Sequence, residues 1–221
     1  MKQIVHFFPT RKAAYAVIGS LSDTSKMPGK SWGISASLCN TGAKLAKIPG
    51  TVCSDCYAMK GFYAMMPSVK LAHTTRLEAW RADRLAWCQA MVQLITGQET
   101  MRWFDSGDLQ SAEMLRDILA VVARTPGTKH WIATREVGIV RDVLASGIPL
   151  PDNVVIRMSA SFPDDLRIPG LELTGNGALV HSSAPATDSA YSCPAPSNGG
   201  KCGDCRACWS RTVKLVSYHS H

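Results

Sequence analysis

The sequence predicts an α/β fold, a parallel-stranded sheet that closes into a partial (β/α) barrel or stays open and doubly wound, with a small cysteine-rich metal-binding tail. Three observations carry that expectation. Short apolar runs rich in Val, Ile and Trp alternate with stretches of helical period, as when strands are joined by right-handed helical crossovers. The runs are apolar inside and polar where they end, and parallel sheets carry their binding residues at those ends. From Ala184 onward the chain turns to Cys, Pro, Gly and Ser with little periodicity.

The N-terminal IVHFF reads as an outlying strand, and Trp32 to Ala36 as the first strand of the repeating pattern. A glycine-rich loop bearing cysteines follows over residues 39–67. Ser68 to Ile95 reads as one long helix: Leu77, Trp80, Trp87, Cys88, Met91 and Ile95 fall near helical spacing, and Thr96-Gly97 stops it. Met101 to Asp105 is the next strand, closed by Ser106-Gly107-Asp108. Leu115, Ile118, Leu119 and Val122 then mark a helix that Pro126-Gly127 ends. Lys129 to Ala133 is a strand, Val137, Val140 and Leu144 mark a helix, and Asn153 to Met158 and Ala178 to His181 are the last strands. The expected organisation is a domain of residues 1–183 with a tail of residues 184–221 packed on it.

The 221 residues are 46% hydrophobic, enough for one sizeable core. No apolar run approaches the ~18 residues of a membrane helix, and the start MKQIVHFFPTRKAAY lacks the ~7–15-residue apolar stretch of a secretory signal. The expectation is a cytoplasmic protein with no membrane partner. A net charge of +7 suits an anionic small molecule or nucleic acid, and equally suits a mildly basic surface. Arg102, Arg135 and Arg157, on or just after strands, are candidates to bind such an anion. Trp32, Trp103, Trp131 and Trp209 read as core rather than as stacking platforms, since they sit within or beside apolar segments.

Eight cysteines in a reducing compartment point to metal or catalysis rather than disulfides. Cys193, Cys202, Cys205 and Cys208 form C-x8-C-x2-C-x2-C. The tight run suits a [4Fe–4S] cluster, with zinc as the alternative metal. Cys39, Cys53 and Cys56 form C-x13-C-x2-C. Three thiolates after a strand leave one coordination position open, as a reactive centre needs; alternatively they share a site with a tail cysteine. Cys88, on the apolar face of the long helix, reads as a buried thiol, and the six histidines show no ligand spacing.

The strand exits read Ser35-Ala36-Ser37, Asp105-Ser106-Gly107-Asp108, Thr134-Arg135-Glu136, Ser159-Ala160-Ser161 and His181-Ser182. Asp108 or Ser111 is also a candidate cap of the following helix. Taken together, the five exits favour a site on that face.

CSDCYAMKGFY, RWFDSGD, HWIATRE and CGDCRACW resemble a phage protein family named after gene product eighty-eight, over most of the chain from about Ser31 to Trp209. More loosely, a cysteine triad after the first strand, with Cys56-Tyr57-Ala58, is similar to the radical S-adenosylmethionine superfamily of partial barrels. That resemblance implies a [4Fe–4S] cluster on Cys39, Cys53 and Cys56 with S-adenosylmethionine on its open iron. Tyr57, Asp105, Ser106, Gly107, Asp108, Thr134, Arg135 and Ser159 would line the cofactor, and the tail would hold an auxiliary cluster. The chain departs from that superfamily in the thirteen residues between Cys39 and Cys53 and in lacking a Gly-Gly-Glu turn. Three functions are therefore carried forward. One is radical chemistry on an anionic substrate. Another is electron transfer or redox sensing with a redox partner. The last is a zinc-stapled nucleic-acid binder.

Overall fold

The computed structural model describes residues 8–163, 179–183 and 191–218. Its helices are α1 (Arg11–Ile18), α2 (Asn40–Leu45), α3 (Gly61–Met65), α4 (Pro67–Ala82), α5 (Arg84–Ile95), α6 (Ala112–Ala123) and α7 (Val137–Ala145). Its strands are β1 (Ser22–Asp23), β2 (Lys30–Trp32), β3 (Thr100–Trp103), β4 (Lys129–Thr134), β5 (Val154–Ser159), β6 (Leu179–Ser183), β7 (Tyr191–Ser192) and β8 (Leu215–Ser217). They form one sheet in the order β1-β2-β3-β4-β5-β6-β8-β7. The β1–β2 pair is antiparallel and all other pairs are parallel. The sheet is open, with β1 and β7 at its edges.

From β2 to β5 the strand order follows the chain, and right-handed crossovers between such strands stack their helices on one face. Trp32, Met101, Trp103, Ile132, Val154, Ile156 and Met158 accordingly share one core with residues of α1 and α4 through α7. The opposite face carries Trp131, and there the tail packs: Trp131, Ala207, Cys208, Trp209 and Val216 form a second apolar cluster. Trp209 meets Trp131 edge-on at 5.3 Å and donates its indole N–H to the Met101 carbonyl at 3.0 Å. The reading of Trp32, Trp103, Trp131 and Trp209 as core agrees with their burial.

Several expectations are corrected. The long helix breaks at Asp83, whose extended backbone interrupts it and whose carboxylate accepts from the Ala86 amide, capping α5. Residues 39–67 hold α2 and α3 rather than plain loop. The strand expected to reach Asp105 stops at Trp103, because Phe104 takes a φ of 62°, a left-handed conformation uncommon without glycine. Helix α1, capped by Thr10, had no counterpart in the sequence reading. The IVHFF strand falls largely on residues outside those described, and Phe8 is in no strand. The described part of the tail is woven into the sheet through β7 and β8.

Arg157 is fully buried on β5 and donates to the carbonyls of Cys208 (2.9 Å), Ala207 (2.5 Å), Ser210 (3.1 Å) and Val213 (3.2 Å). It fastens the tail to the sheet and is not placed to receive an anionic substrate.

Candidate functional site

The segment from Cys39 to Pro67 is fastened across the strand exits by side chains distant in sequence. The Glu136 carboxylate, just after β4, accepts from the Thr41 amide at 2.8 Å and from its hydroxyl at 2.9 Å. Gln110 donates to the Leu38 carbonyl at 3.0 Å, and the Val52 amide donates to Ser161, past β5, at 2.9 Å. Tyr57 donates to the Asp105 carbonyl and Tyr63 to the Asp105 carboxylate, the latter at 3.1 Å. Within the segment, the Thr51 hydroxyl donates to Leu45 and Ile48 and accepts from the Ser54 amide, holding the turn before Cys53 and Cys56.

These ties bring Cys39, Cys53 and Cys56 together. A β-carbon at Gly42 would lie 2.9 Å from the Cys39 β-carbon, and 3.5 and 3.6 Å from the Cys39 and Cys53 sulfurs. Glycine leaves room there for both thiols, which stand within twice that distance of each other. Burial pushes the Cys39 thiol up to about 12, and Asp108, Cys56, Cys53 and Glu136 add to the effect. Burial also raises Cys53, with Arg135 opposing. Burial pushes Asp108 up to about 6, against hydrogen bonds from the Thr134 hydroxyl (2.6 Å) and the Arg135 (2.9 Å) and Leu109 (2.8 Å) amides. Three thiols and two carboxylates thus lie close enough at the strand exits to raise the Cys39 thiol together, an arrangement a bound cation would relieve. Among the described residues, no three His, Cys, Asp or Glu side chains converge as ligands of one metal ion.

Asp105 and Ser106 are buried, and among the described residues the Asp105 Oδ1 and Ser106 Oγ atoms have no hydrogen-bond partner. Gly107, at φ 75°, packs so closely on Ile34 that a β-carbon would fall 2.7 Å from the Ile34 carbonyl. Asp108 does not cap α6; Ser111 does, accepting from the Met114 amide. Arg135 donates to the Ala160 carbonyl at 3.2 Å. Ser159 ends β5, in register with Ser182, and His181 and Ser182 lie in β6. The sequence reading gave no role to Glu136, Tyr63 or His73. Glu136 stood in a polar exit already noted, whereas Tyr63, stacked on His73 at 5.8 Å, gave no local signal.

The tail cysteines gather on the face opposite the helices. The Cys193 amide donates to Ser217 and the Cys202 amide to Lys26, each at 2.9 Å. The Cys208 sulfur lies 3.0 Å from the Tyr218 hydroxyl and the Cys205 sulfur 3.5 Å from that of Tyr191. Burial pushes Cys208 up to about 11, against Tyr218, Arg157 and Arg102, with Cys193 adding to the rise. Burial, Cys193 and Cys205 raise Cys202. Cys88 sits apart, in the core under α5, with its thiol 3.8 Å from the Asp117 carbonyl.

A family model described as gene product 88 matches residues 9–211. No curated protein and no solved structure matches the chain. No helix among the described residues is long and apolar enough to cross a membrane.

Proposed function

The chain belongs to the gene product 88 family, and on that premise we propose that it is an iron–sulfur protein with a reactive centre on Cys39, Cys53 and Cys56. The observation that carries the reading is the gathering of those three thiols at the strand exits, against the buried carboxylates of Asp108 and Glu136. The donor set fits: thiolates suit iron–sulfur clusters, and a cubane spreads its ligands more widely than a single zinc ion does. When bound, a cluster held by three thiolates offers a fourth iron at which a small molecule can be ligated and reduced.

Around that position the chain supplies the remaining functions. Asp105, whose Oδ1 has no partner among the described residues, would accept a hydrogen bond from a donor such as an amine. Arg135, Thr134 and Ser159 line the β4 and β5 exits, and Tyr57 borders the β3 exit through Asp105. S-adenosylmethionine-dependent radical chemistry on a partial-barrel scaffold is the finer form of this reading. In that form the tail cysteines hold a second cluster, and the protein works in a reducing compartment such as the host cytoplasm. Isothermal titration of the anaerobic protein with S-adenosylmethionine tests it. Binding that disappears on replacing Cys53 and Cys56 with serine supports the enzyme. A reducible cluster with no affinity for the molecule replaces it with electron transfer or redox sensing.

A further inference from the structure

Soluble proteins scatter their exposed large apolar side chains, and a cluster of them marks a contact surface. Here they gather. Phe62 is 76% exposed, Met65 71% and Leu71 68%, and Leu38, Met59 and Met66 are also open to water. In α1, α5, α6 and α7 together, by contrast, Leu85 is the one exposed large apolar side chain among the described residues. The six lie along a continuous ribbon. The turn Ala36–Leu38 packs against the turn Tyr57–Met59, that turn against α3, and α3 against α4. The Tyr57 and Tyr63 rings meet edge-on at 5.8 Å and fix the second turn on α3. The Met66 amide donates to the Phe62 carbonyl at 3.1 Å, and the Lys70 amide donates to the Met66 carbonyl at 3.2 Å.

The ribbon carries charge of one sign. Residues 36–71 hold Lys44, Lys47, Lys60 and Lys70 against a single acid, Asp55. Lys60 pairs with Asp55, which leaves Lys44, Lys47 and Lys70 uncompensated; all three are exposed. Helix α2, which carries Lys44, packs on the turn Ala36–Leu38. An apolar centre with a charged rim is the anatomy of a protein interface, and flexible thioethers suit a surface that moulds itself to a partner. A second copy of this chain is the wrong occupant. A two-fold contact would set the same patch against itself and bring like charges together. Single-stranded nucleic acid would need a row of aromatic faces, whereas five of these six side chains are aliphatic or thioether.

We propose that the ribbon is a docking surface for an acidic protein partner, which lays an apolar face on Phe62 and Met65 and sets its carboxylates beside Lys44, Lys47 and Lys70. Cys56 immediately precedes the Tyr57–Met59 turn, so the partner docks next to the three-thiol site. The inference does not depend on what the cysteines hold.

The probe is a dye-labelled amphipathic helical peptide of Leu and Glu, followed by fluorescence anisotropy with the full chain. It should bind about tenfold or more tightly than its Leu and Lys counterpart, and weaken as salt is added. Phe62→Ser with Met65→Ser should weaken it about tenfold, and Lys47→Glu with Lys70→Glu should weaken it and flatten the salt dependence. These side chains are exposed, and far-UV circular dichroism checks that each variant is folded. Without any substitution, the acidic peptide should shift the methyl resonances of Met59, Met65 and Met66. Equal affinity for the two peptides, unchanged affinity in the Phe62 and Met65 variant, or unmoved methionine methyls would overturn the proposal. So would tighter binding to vesicles of phosphatidylcholine and phosphatidylglycerol or to an oligothymidylate than to the acidic peptide. A concentration-dependent dimer that Phe62→Ser abolishes would assign the surface to a second copy instead. Binding as expected by a chain that carries no iron or sulfide would defeat the iron–sulfur reading and leave this inference standing.

Discussion

The two cysteine regions are built in opposite ways. The tail is held by backbone and buried groups: β8 pairs with β6 and β7, Arg157 binds four of its carbonyls, and Trp209 is buried against Trp131. The Cys39–Pro67 segment is held by side chains, chiefly Glu136, Gln110 and Asp105. It leaves Met59, Phe62 and Met65 largely exposed. The comparison teaches that the tail is built into the sheet and its apolar cluster, whereas the exit segment sets three thiols beside ionisable groups at the strand exits. The tail should therefore matter most to folding, and the exit segment to chemistry.

The sharpest way to break that comparison is Arg157→Met. It strands several buried carbonyls, and removing one partner from a buried charged network costs about 3–5 kcal/mol. Thermal unfolding should register a large loss, and limited proteolysis should cut residues 191–218 first. A variant as stable as the parent would show that the tail is not anchored there.

Acid probes the scaffold beneath both regions. His130 is buried, with Nδ1 accepting from the Trp103 indole N–H at 3.2 Å. Its proton must then sit on Nε2, which lies 2.9 Å from the Thr125 hydroxyl. Burial lowers its pKa to about 4. The folded chain therefore binds fewer protons than the unfolded chain between about pH 6.5 and 4. Its neutral ring contributes stability that is complete above about pH 6.5 and lost as the pH falls through 4, about 3 kcal/mol in all. Denaturant titrations across that window should show the slope, and His130→Gln should flatten it.

Glu136→Ala tests the exit segment. Losing both bonds to Thr41 should cost about 1–2 kcal/mol and speed alkylation of Cys39 in the metal-free protein, while the tail cysteines react as before. Equal acceleration at both sites would mean that the two regions are not independent. The smallest effect is expected from Cys88→Ala, about 1 kcal/mol or less, with metal content unchanged.

The tail's cysteine spacing was legible because it is local: two successive C-x2-C steps read as a metal motif wherever the fold puts them. The alternating pattern likewise made the parallel order of β2 through β5 legible, since each crossover carries its own apolar stripe. What stayed hidden depends on distance in the chain. Nothing near Arg157 reveals that carbonyls some fifty residues away surround it, and nothing near Thr41 points to Glu136. The break at Asp83 was legible in principle, because an aspartate three residues before an amide it can accept from is a helix cap. The continuous apolar spacing on either side outweighed it. Strands β7 and β8, at two and three residues, are too short for a period of two to show.

The central claim is that the chain holds two separate thiolate centres. It is tested most directly by measuring iron, acid-labile sulfide and zinc in the anaerobically purified protein. Two variants are measured beside it, one with Cys39, Cys53 and Cys56 replaced by serine and one with Cys193, Cys202, Cys205 and Cys208 replaced. Iron with matching sulfide in the native chain, about half of it lost in each variant, is the expected result. Zinc without sulfide, or iron that disappears entirely when either set is replaced, would contradict the account.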